Sequence, residues 1–312
     1  MSLRLGGLLF LGALISGCAS QAAKPAATAL QTGKPAGTQV VLLGTGMPRP
    51  DPAASGPATA VTVGGRVFLF DAGPGVMRRI NAAGLPINGV TALFVTHLHS
   101  DHTLGYPDLI FTSWVMGRKT PLQAYGPHGL QQMTDHLMAA YSEDIAIRVN
   151  GYEHGVPAGY QVAVHEIEPG VVYAQDGVRV TAFRVPHGIW KEAYGYRIDT
   201  ADRSIVISGD TSYSEELIRQ AKGCDVLIHE IYPEKRAKPE DRPGGEFWPI
   251  YLKTFHTSDV EVGKIAAQVQ PKLLILHHVV SRQGTTDAEM IAAIRRGGFT
   301  GLVVIGHDLE RH

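Results

Sequence analysis

The sequence predicts an α/β protein: a layered αββα sandwich of two mixed β-sheets face to face, with helices outside. Three observations carry that expectation. Short apolar runs alternate with amphipathic helical stretches, the pattern of layered α/β architecture. The alternation occurs in both halves of the chain, on either side of a strand-like middle over 146–184. Histidines and aspartates recur directly after strand-like runs, where a sandwich delivers side chains to one edge.

Taken in order, 40–43 reads as a buried strand closed by Gly44-Thr45-Gly46. That turn lacks the later glycine, helix and acidic residue of a dinucleotide fingerprint. Runs 60–63 and 67–70 flank Gly64-Gly65-Arg66, a hairpin signal. Asp71-Ala72-Gly73-Pro74-Gly75 then turns the chain into a helix over 76–83, and 90–95 is the next strand. Helical spacing covers 106–116, with Leu104, Leu109 and Ile110 on one side, and 129–141, with Met133, Leu137 and Met138 on one side. The two bracket a strand over 122–125. Between 146 and 184 the periodicity is strand-like, in runs 160–167, 171–173 and 178–183. The second half reads as strands 193–198 and 204–208, helix 214–221, strand 226–228, helix 258–269, strand 273–276, helix 287–296 and strand 302–305.

Length and composition set outer limits. A chain of 312 residues and 33.5 kDa, 44% hydrophobic, buries a large core. A formal charge of −1 offers no broad basic footprint, so no nucleic acid is expected as a partner. At the N-terminus, Arg4, the apolar run 5–15 and Ile15-Ser16-Gly17-Cys18 resemble a secretory signal with a bacterial lipobox. The expectation is a signal peptide over 1–18, a flexible tether over 19–37 and a folded domain over 38–312. Cleavage would leave Cys18 lipidated, making membrane contact on the periplasmic side of the outer membrane; an unmodified, soluble periplasmic or secreted form is the alternative. With Cys18 so used, Cys224 has no partner and reads as a small buried hydrophobe.

The densest chemistry lies in Val95-Thr96-His97-Leu98-His99-Ser100-Asp101-His102-Thr103, three imidazoles and a carboxylate within six positions. Imidazole and carboxylate suit Zn²⁺ or another first-row divalent ion. A surface turn with scattered histidines, or core histidines filling hydrogen bonds, is the competing interpretation. Pro186-His187-Gly188, Gly209-Asp210-Thr211 and the His277-His278 pair supply further candidates at strand ends.

The His97-x-His99-x-Asp101-His102 segment resembles the signature of the metallo-β-lactamase superfamily. That resemblance implies His97, His99 and His187 as ligands of one ion, Asp101, His102 and His278 as ligands of a second, and Asp210 as the bridging carboxylate. It prefers His278 to His277 and gives Asp71 an orienting role toward the histidine loop, against the alternative of a helix cap. The implied cofactors are two divalent ions, Zn²⁺ first and Mn²⁺ or Fe²⁺ as alternatives, with a metal-bridging hydroxide as the attacking group. Ile228-His229-Glu230 and Phe255-His256-Thr257-Ser258 resemble motifs of ribonuclease Z-like members, implying Asp101, His256 and Glu230 as catalytic residues. In that group Glu230 orients His256, which stays protonated near neutral pH and serves the leaving group. The 48–57 loop, the 135–140 helix and the 251–258 run resemble periplasmic arylsulfatase-like members, and no basic arm for transfer RNA is apparent. The expected function is therefore hydrolysis of small anionic esters, arylsulfatase-like or phosphodiesterase-like. A β-lactam or lactone hydrolase, and a non-catalytic metal- or nucleotide-binding lipoprotein, are the alternatives. The aromatic segment around Trp248 and Tyr251 reads either as a pocket wall or as core. The oligomeric state is open, a homodimer included.

Overall fold

The computed structural model describes Ser2 and residues 37–312. The expected signal peptide and lipobox, Ser2 apart, and the tether over 19–36 lie outside the described residues.

Among the described residues, thirteen strands form two sheets. The first has the order β1 (Gln39–Gly44), β2 (Ala58–Val63), β3 (Arg66–Phe70), β4 (Val90–Phe94), β5 (Leu122–Gly126) and β6 (Val162–Glu166). Its first three strands run antiparallel and the rest are parallel to β3. The second comprises β7 (Gly170–Gln175), β8 (Val178–Arg184), β9 (Tyr194–Asp199), β10 (Ser204–Ile207), β11 (Val226–Ile231), β12 (Leu273–Val279) and β13 (Leu302–Ile305), in sequence order across the sheet. Here β7 to β10 are antiparallel, and β10 to β13 parallel. Both sheets are therefore mixed, as expected.

Period-two side-chain alternation explains the layering. Val40, Leu42, Phe68, Phe70 and Phe94 meet Tyr196, Ile205, Ile207, Val226, Ile228 and Ile275 in the core between the sheets. Their sequence neighbours Val41, Leu43, Val67, Leu69 and Leu93 point the other way, onto α1 (Val76–Ala82), α3 (Tyr106–Val115) and α4 (Leu130–Ala140). Val206, Leu227, Leu274 and Leu276 likewise pack outward against α7 (Glu215–Ala221), α9 (Asp259–Val269) and α10 (Asp287–Arg296). Strands buried on both faces read as continuous apolar runs, so the sequence located them closely. Cys224 is buried, and burial pushes its thiol up to about 12, leaving it a packing residue.

An aromatic group pins the sheets together below one edge. Phe94 stacks between Phe70 and Tyr125, at 5.0 Å from each. The buried Tyr196 hydroxyl donates to Val95 O (2.7 Å), and Tyr194 N donates to Thr96 O (2.9 Å). Strand β9 of the second sheet thus grips the chain where it leaves β4 of the first.

The strand-like reading from 146 onward needs correction, and one helix lies where none was expected. Residues 142–150 are helical, not strand-like: α5 (Ser142–Asn150) places Ile145 and Val149 one turn apart against the outer core, with an Arg148–Asp144 pair on its exposed side. A short helix α6 (Pro157–Tyr160) precedes β6. The aromatic segment after β11 also contains a helix, α8 (Trp248–Phe255), with proline in its first turn. A single helical turn, α2 (Ser100–Thr103), follows the histidine loop.

Candidate active site

Strand β4 ends at Phe94, and every residue from Val95 to Asp101 except Leu98, His99 and Ser100 is buried. His99 is the extended residue before α2, which carries Asp101 and His102 in its first turn. Strand β8 leads to His187, which bridges back to Trp190. Asp210 follows β10 after Gly209, whose φ is +60° and whose added Cβ would lie 2.5 Å from Tyr194 O. Only glycine admits that close approach between β9 and the turn. In β12 the register slips, Glu230 facing His277 and Ile231 facing Val279, so His278 is the extra residue, with φ +44°. Such a bulge re-aims a side chain. It explains why His278 turns into the site while its neighbour His277 does not join the ligand groups.

The first sheet thus supplies His97, His99, Asp101 and His102, and the second supplies His187, Asp210 and His278. His97, His99, His187 and Asp210 form one compact group, and Asp101, His102 and His278 another. In the first, His99 Nδ1 is 2.9 Å from His97 Nε2 and 3.2 Å from His187 Nε2. In the second, His278 Nε2 is 3.2 Å from Asp101 Oδ2, and His102 Nε2 is 3.6 Å from the same oxygen. Asp210 joins both: Oδ1 is 3.4 Å from His102 Nε2, while Oδ2 is 3.6 Å from His278 Nε2 and 3.9 Å from His97 Nε2. Ligands at about 2.0–2.1 Å in a tetrahedron stand roughly 3.3 Å apart. The donor sets therefore suit two divalent ions sharing Asp210.

Hydrogen bonds behind the rings set their tautomers. Asp71 is left-handed (φ +59°) and accepts from Thr96 N (2.8 Å), the Thr96 hydroxyl (2.9 Å) and His102 Nδ1 (2.8 Å). With its proton given to Asp71, Thr96 Oγ1 accepts from His97 Nδ1 at 2.9 Å. His187 Nδ1 donates to Phe255 O at 2.7 Å. Each bond leaves the Nε2 lone pair facing the groups just described, and the buried His102 Nε2 has no hydrogen-bond partner. Asp71 is thus an orienting residue, and the helix-cap alternative fails: Gly75 precedes α1 and no side chain caps it. His99 differs, because Trp190 Nε1 donates to its Nε2 (2.8 Å). Indole only donates, so ligation through His99 Nδ1 requires the ring proton to move to Nε2 and Trp190 to turn aside.

Electrostatics divides the two groups. Burial lowers His97 well below the usual imidazole range and His187 to about 4, so both are neutral donors. Burial also opposes charge on His102 and His278, but Asp210, with Asp71 at one and Asp101 at the other, pulls both upward. Asp210 is held well below the carboxylate range by His278 and His102 against the cost of its burial.

His256 caps the end of α8 beside these groups, its Nδ1 3.4 Å from Glu230 Oε2 and 3.9 Å from Asp210 Oδ2. Glu230 Oε1 accepts from Thr211 N and Thr257 N, which holds the carboxyl in place. Burial lowers His256 to about 4 and raises Glu230 well above its usual range. Burial thus disfavours charge on both groups, which runs against the expectation of a protonated His256. The buried His229 donates from Nδ1 to Glu230 O at 2.6 Å and belongs to none of the ligand groups.

Sequence reasoning missed Trp190. Its residue type between Ile189 and Lys191 carries no spacing signal, and only the chain's return from His187 brings it over His99 at 5.0 Å.

Residues 66–279 match the family model described as "Beta-lactamase superfamily domain". The chain is 33% identical over 283 residues to the ribonuclease Z of Mycobacterium sp. (strain KMS), covering 88% of this chain and 95% of that one. Among solved structures, the metallo-beta-lactamase fold protein YhfI from Bacillus subtilis superposes with a TM-score of 0.68 at 18% identity, over 88% of this chain and 98% of that one. Human tRNase Z, short form, gives 0.65 at 22% identity, with the same coverage. These relatives overturn the expectation of a small anionic ester substrate with no nucleic acid, since the curated relative is a ribonuclease. The error is physical. Net charge reports the whole surface, whereas divalent ions at these seven buried or half-buried candidate ligands would place positive charge where a scissile phosphate would sit.

Proposed function

The chain belongs to the metallo-β-lactamase superfamily and has ribonuclease Z-like relatives, and from that premise we propose that it is a two-metal phosphodiesterase acting on RNA. The observation that carries this reading is the convergence of six ligand candidates on the shared Asp210, with the His256–Glu230 pair beside them. Two divalent ions there, zinc foremost for an imidazole and carboxylate donor set, would supply Lewis acidity and a nucleophile from water at neutral pH.

The remaining work falls to the chain. His97, His99, His187 and Asp210 hold one position; Asp101, His102, His278 and Asp210 hold the other. His256 takes the leaving oxygen. Glu230 Oε2 lies 3.4 Å from Nδ1, so a small approach lets the carboxyl hand a proton to that nitrogen, while Nε2 lies 3.4 Å from the Tyr251 hydroxyl. As the P–O bond breaks, the departing oxygen takes the Nε2 proton and Nδ1 takes the proton of Glu230. Burial raises Tyr251 to about 12, so it stays a neutral neighbour in this exchange.

The test is to load the full chain with Zn²⁺, Mn²⁺ or Fe²⁺ and offer transfer RNA, bis-p-nitrophenyl phosphate, p-nitrophenyl sulfate and a chromogenic β-lactam. Metal-dependent cleavage of RNA and the phosphodiester is expected. Turnover of the sulfate or lactam without either phosphodiester would sink the reading. Asp210→Ala should lose metal and activity together, while His256→Ala keeps its metal and loses about 10²–10⁴-fold in rate. Equal metal loss in both variants would reject the separate role of His256.

A further inference from the structure

Beside the ligand groups lies a cavity of about 670 Å³, walled by Leu98, Pro127, Ile189, Trp190, Tyr251 and Phe255, with His99 on its inner side. Its volume falls within the roughly 300–1,000 Å³ of pockets that enclose small organic ligands. The walls are planar and apolar. Trp190 stands perpendicular to His99 at 5.0 Å, and Phe255 perpendicular to His187 at 5.1 Å. Behind Phe255 the rings of α8 continue as a parallel stack, Phe255 on Tyr251 at 4.6 Å and Tyr251 on Trp248 at 4.9 Å. Helical spacing produces this ladder, since residues three or four apart share one face. Gly188 makes room for it: an added Cβ would lie 2.1 Å from the Phe255 ring.

We propose that this cavity is the subsite for the nucleobase next to the scissile phosphate, stacked against Trp190 and Phe255. The inference rests on the phosphodiesterase reading and names what that site recognises. Its position follows from His99, which belongs both to the cavity wall and to the first ligand group. A phosphate held at the ligand groups therefore directs one of its two nucleosides into the cavity. Its chemistry follows from the lining. Of the charged lining, Glu192 is taken up by His128 at 3.0 Å and Lys191 is a single ammonium beside six apolar or aromatic walls, so the pocket suits an uncharged planar ring better than a second phosphate. Tyr251 stays a neutral phenol, because burial raises it to about 12. Stacking is tolerant of base identity, so the subsite selects a nucleotide without reading its sequence.

The experiment uses the zinc-loaded full chain and a short oligoribonucleotide with a mapped cut, compared with the same strand carrying an abasic ribose on one side of that cut or the other. Wild type should prefer the intact strand over one abasic strand by about 10-fold or more in kcat/KM, the range expected of one base stack. In Trp190→Ala and Phe255→Ala that ratio should fall toward one, and Trp190→Phe should restore it. Metal content equal to wild type establishes that each variant is folded at the site. Equal kcat/KM for all three strands in wild type, or an unchanged ratio in both alanine variants, overturns the subsite while leaving the phosphodiesterase reading standing. Failure of metal-loaded wild type to cut any RNA overturns that reading instead, and the subsite with it.

Discussion

At the residue scale, the site depends on buried polar groups whose partners are fixed. Asp71 is the clearest case: it is not among the ligand groups, yet it sets His102 directly and His97 through Thr96. Asp71→Ala should weaken metal binding by about 10–100-fold, the usual cost of losing an orienting partner. Competition against a chromogenic chelator reads it, and unchanged affinity would reject the role. His229 carries a pH dependence instead. Burial lowers it to about 4 from an unfolded value near 6.5, so the folded state binds fewer protons than the unfolded one. Its contribution is fully present above about pH 6.5 and is lost as pH falls toward 4, amounting to roughly 3 kcal/mol. Urea unfolding of His229→Gln should show a correspondingly flatter loss of stability across that window. The same slope as wild type would contradict it. None of these partners could be read from spacing. Asp71 and His102 are 31 residues apart, and only the return of the chain beside β4 joins them.

At the element scale, helix starts were legible and the aromatic helix was not. Ser214, Ser258 and Thr286 each accept from a backbone N–H in the first turn of α7, α9 and α10, the latter two as full capping boxes with Glu261 and Glu289. Such caps have a local sequence signature. Ser258→Ala should cost about 1 kcal/mol, seen as a lower midpoint in chemical denaturation with an unchanged slope. No change would mean that water replaces the cap. Helix α8 escaped because its stretch is short, proline-interrupted and aromatic throughout, giving no clean period; it packs only Leu252 fully into a small satellite core with Tyr232 and Val280. Helix α5 escaped for the related reason that none of its residues is fully buried. Strand β12 was read as ending at 276, although pairing carries it to Val279. The bulge at His278 is invisible as a pattern because it arises from β11, a separate strand.

At the scale of the whole molecule, the site is a joint between two sheets. Candidate ligands from both meet at Asp210, and below them Phe94, Tyr125 and Tyr196 hold the sheets together. Phe94→Ala should destabilise the chain by about 3–5 kcal/mol. Added zinc should raise the thermal midpoint of wild type, because a ligand that binds only the folded state stabilises it. The same zinc should leave Asp210→Ala unmoved; an equal shift in both proteins would place the ions elsewhere. The sequence by itself determined the layered α/β class, the strand cores, the histidine loop and each ligand candidate, because apolar alternation and local ligand density act over a few neighbouring residues. Tertiary structure gave the geometry behind two pairings that the family resemblance had implied, His97 with His187 and His278 in place of His277, and it alone decided that burial disfavours charge on Glu230 and His256 and that Trp190 overlies His99. Those outcomes depend on distances between segments and on the dryness of the space they enclose, which exist only once the two sheets have closed.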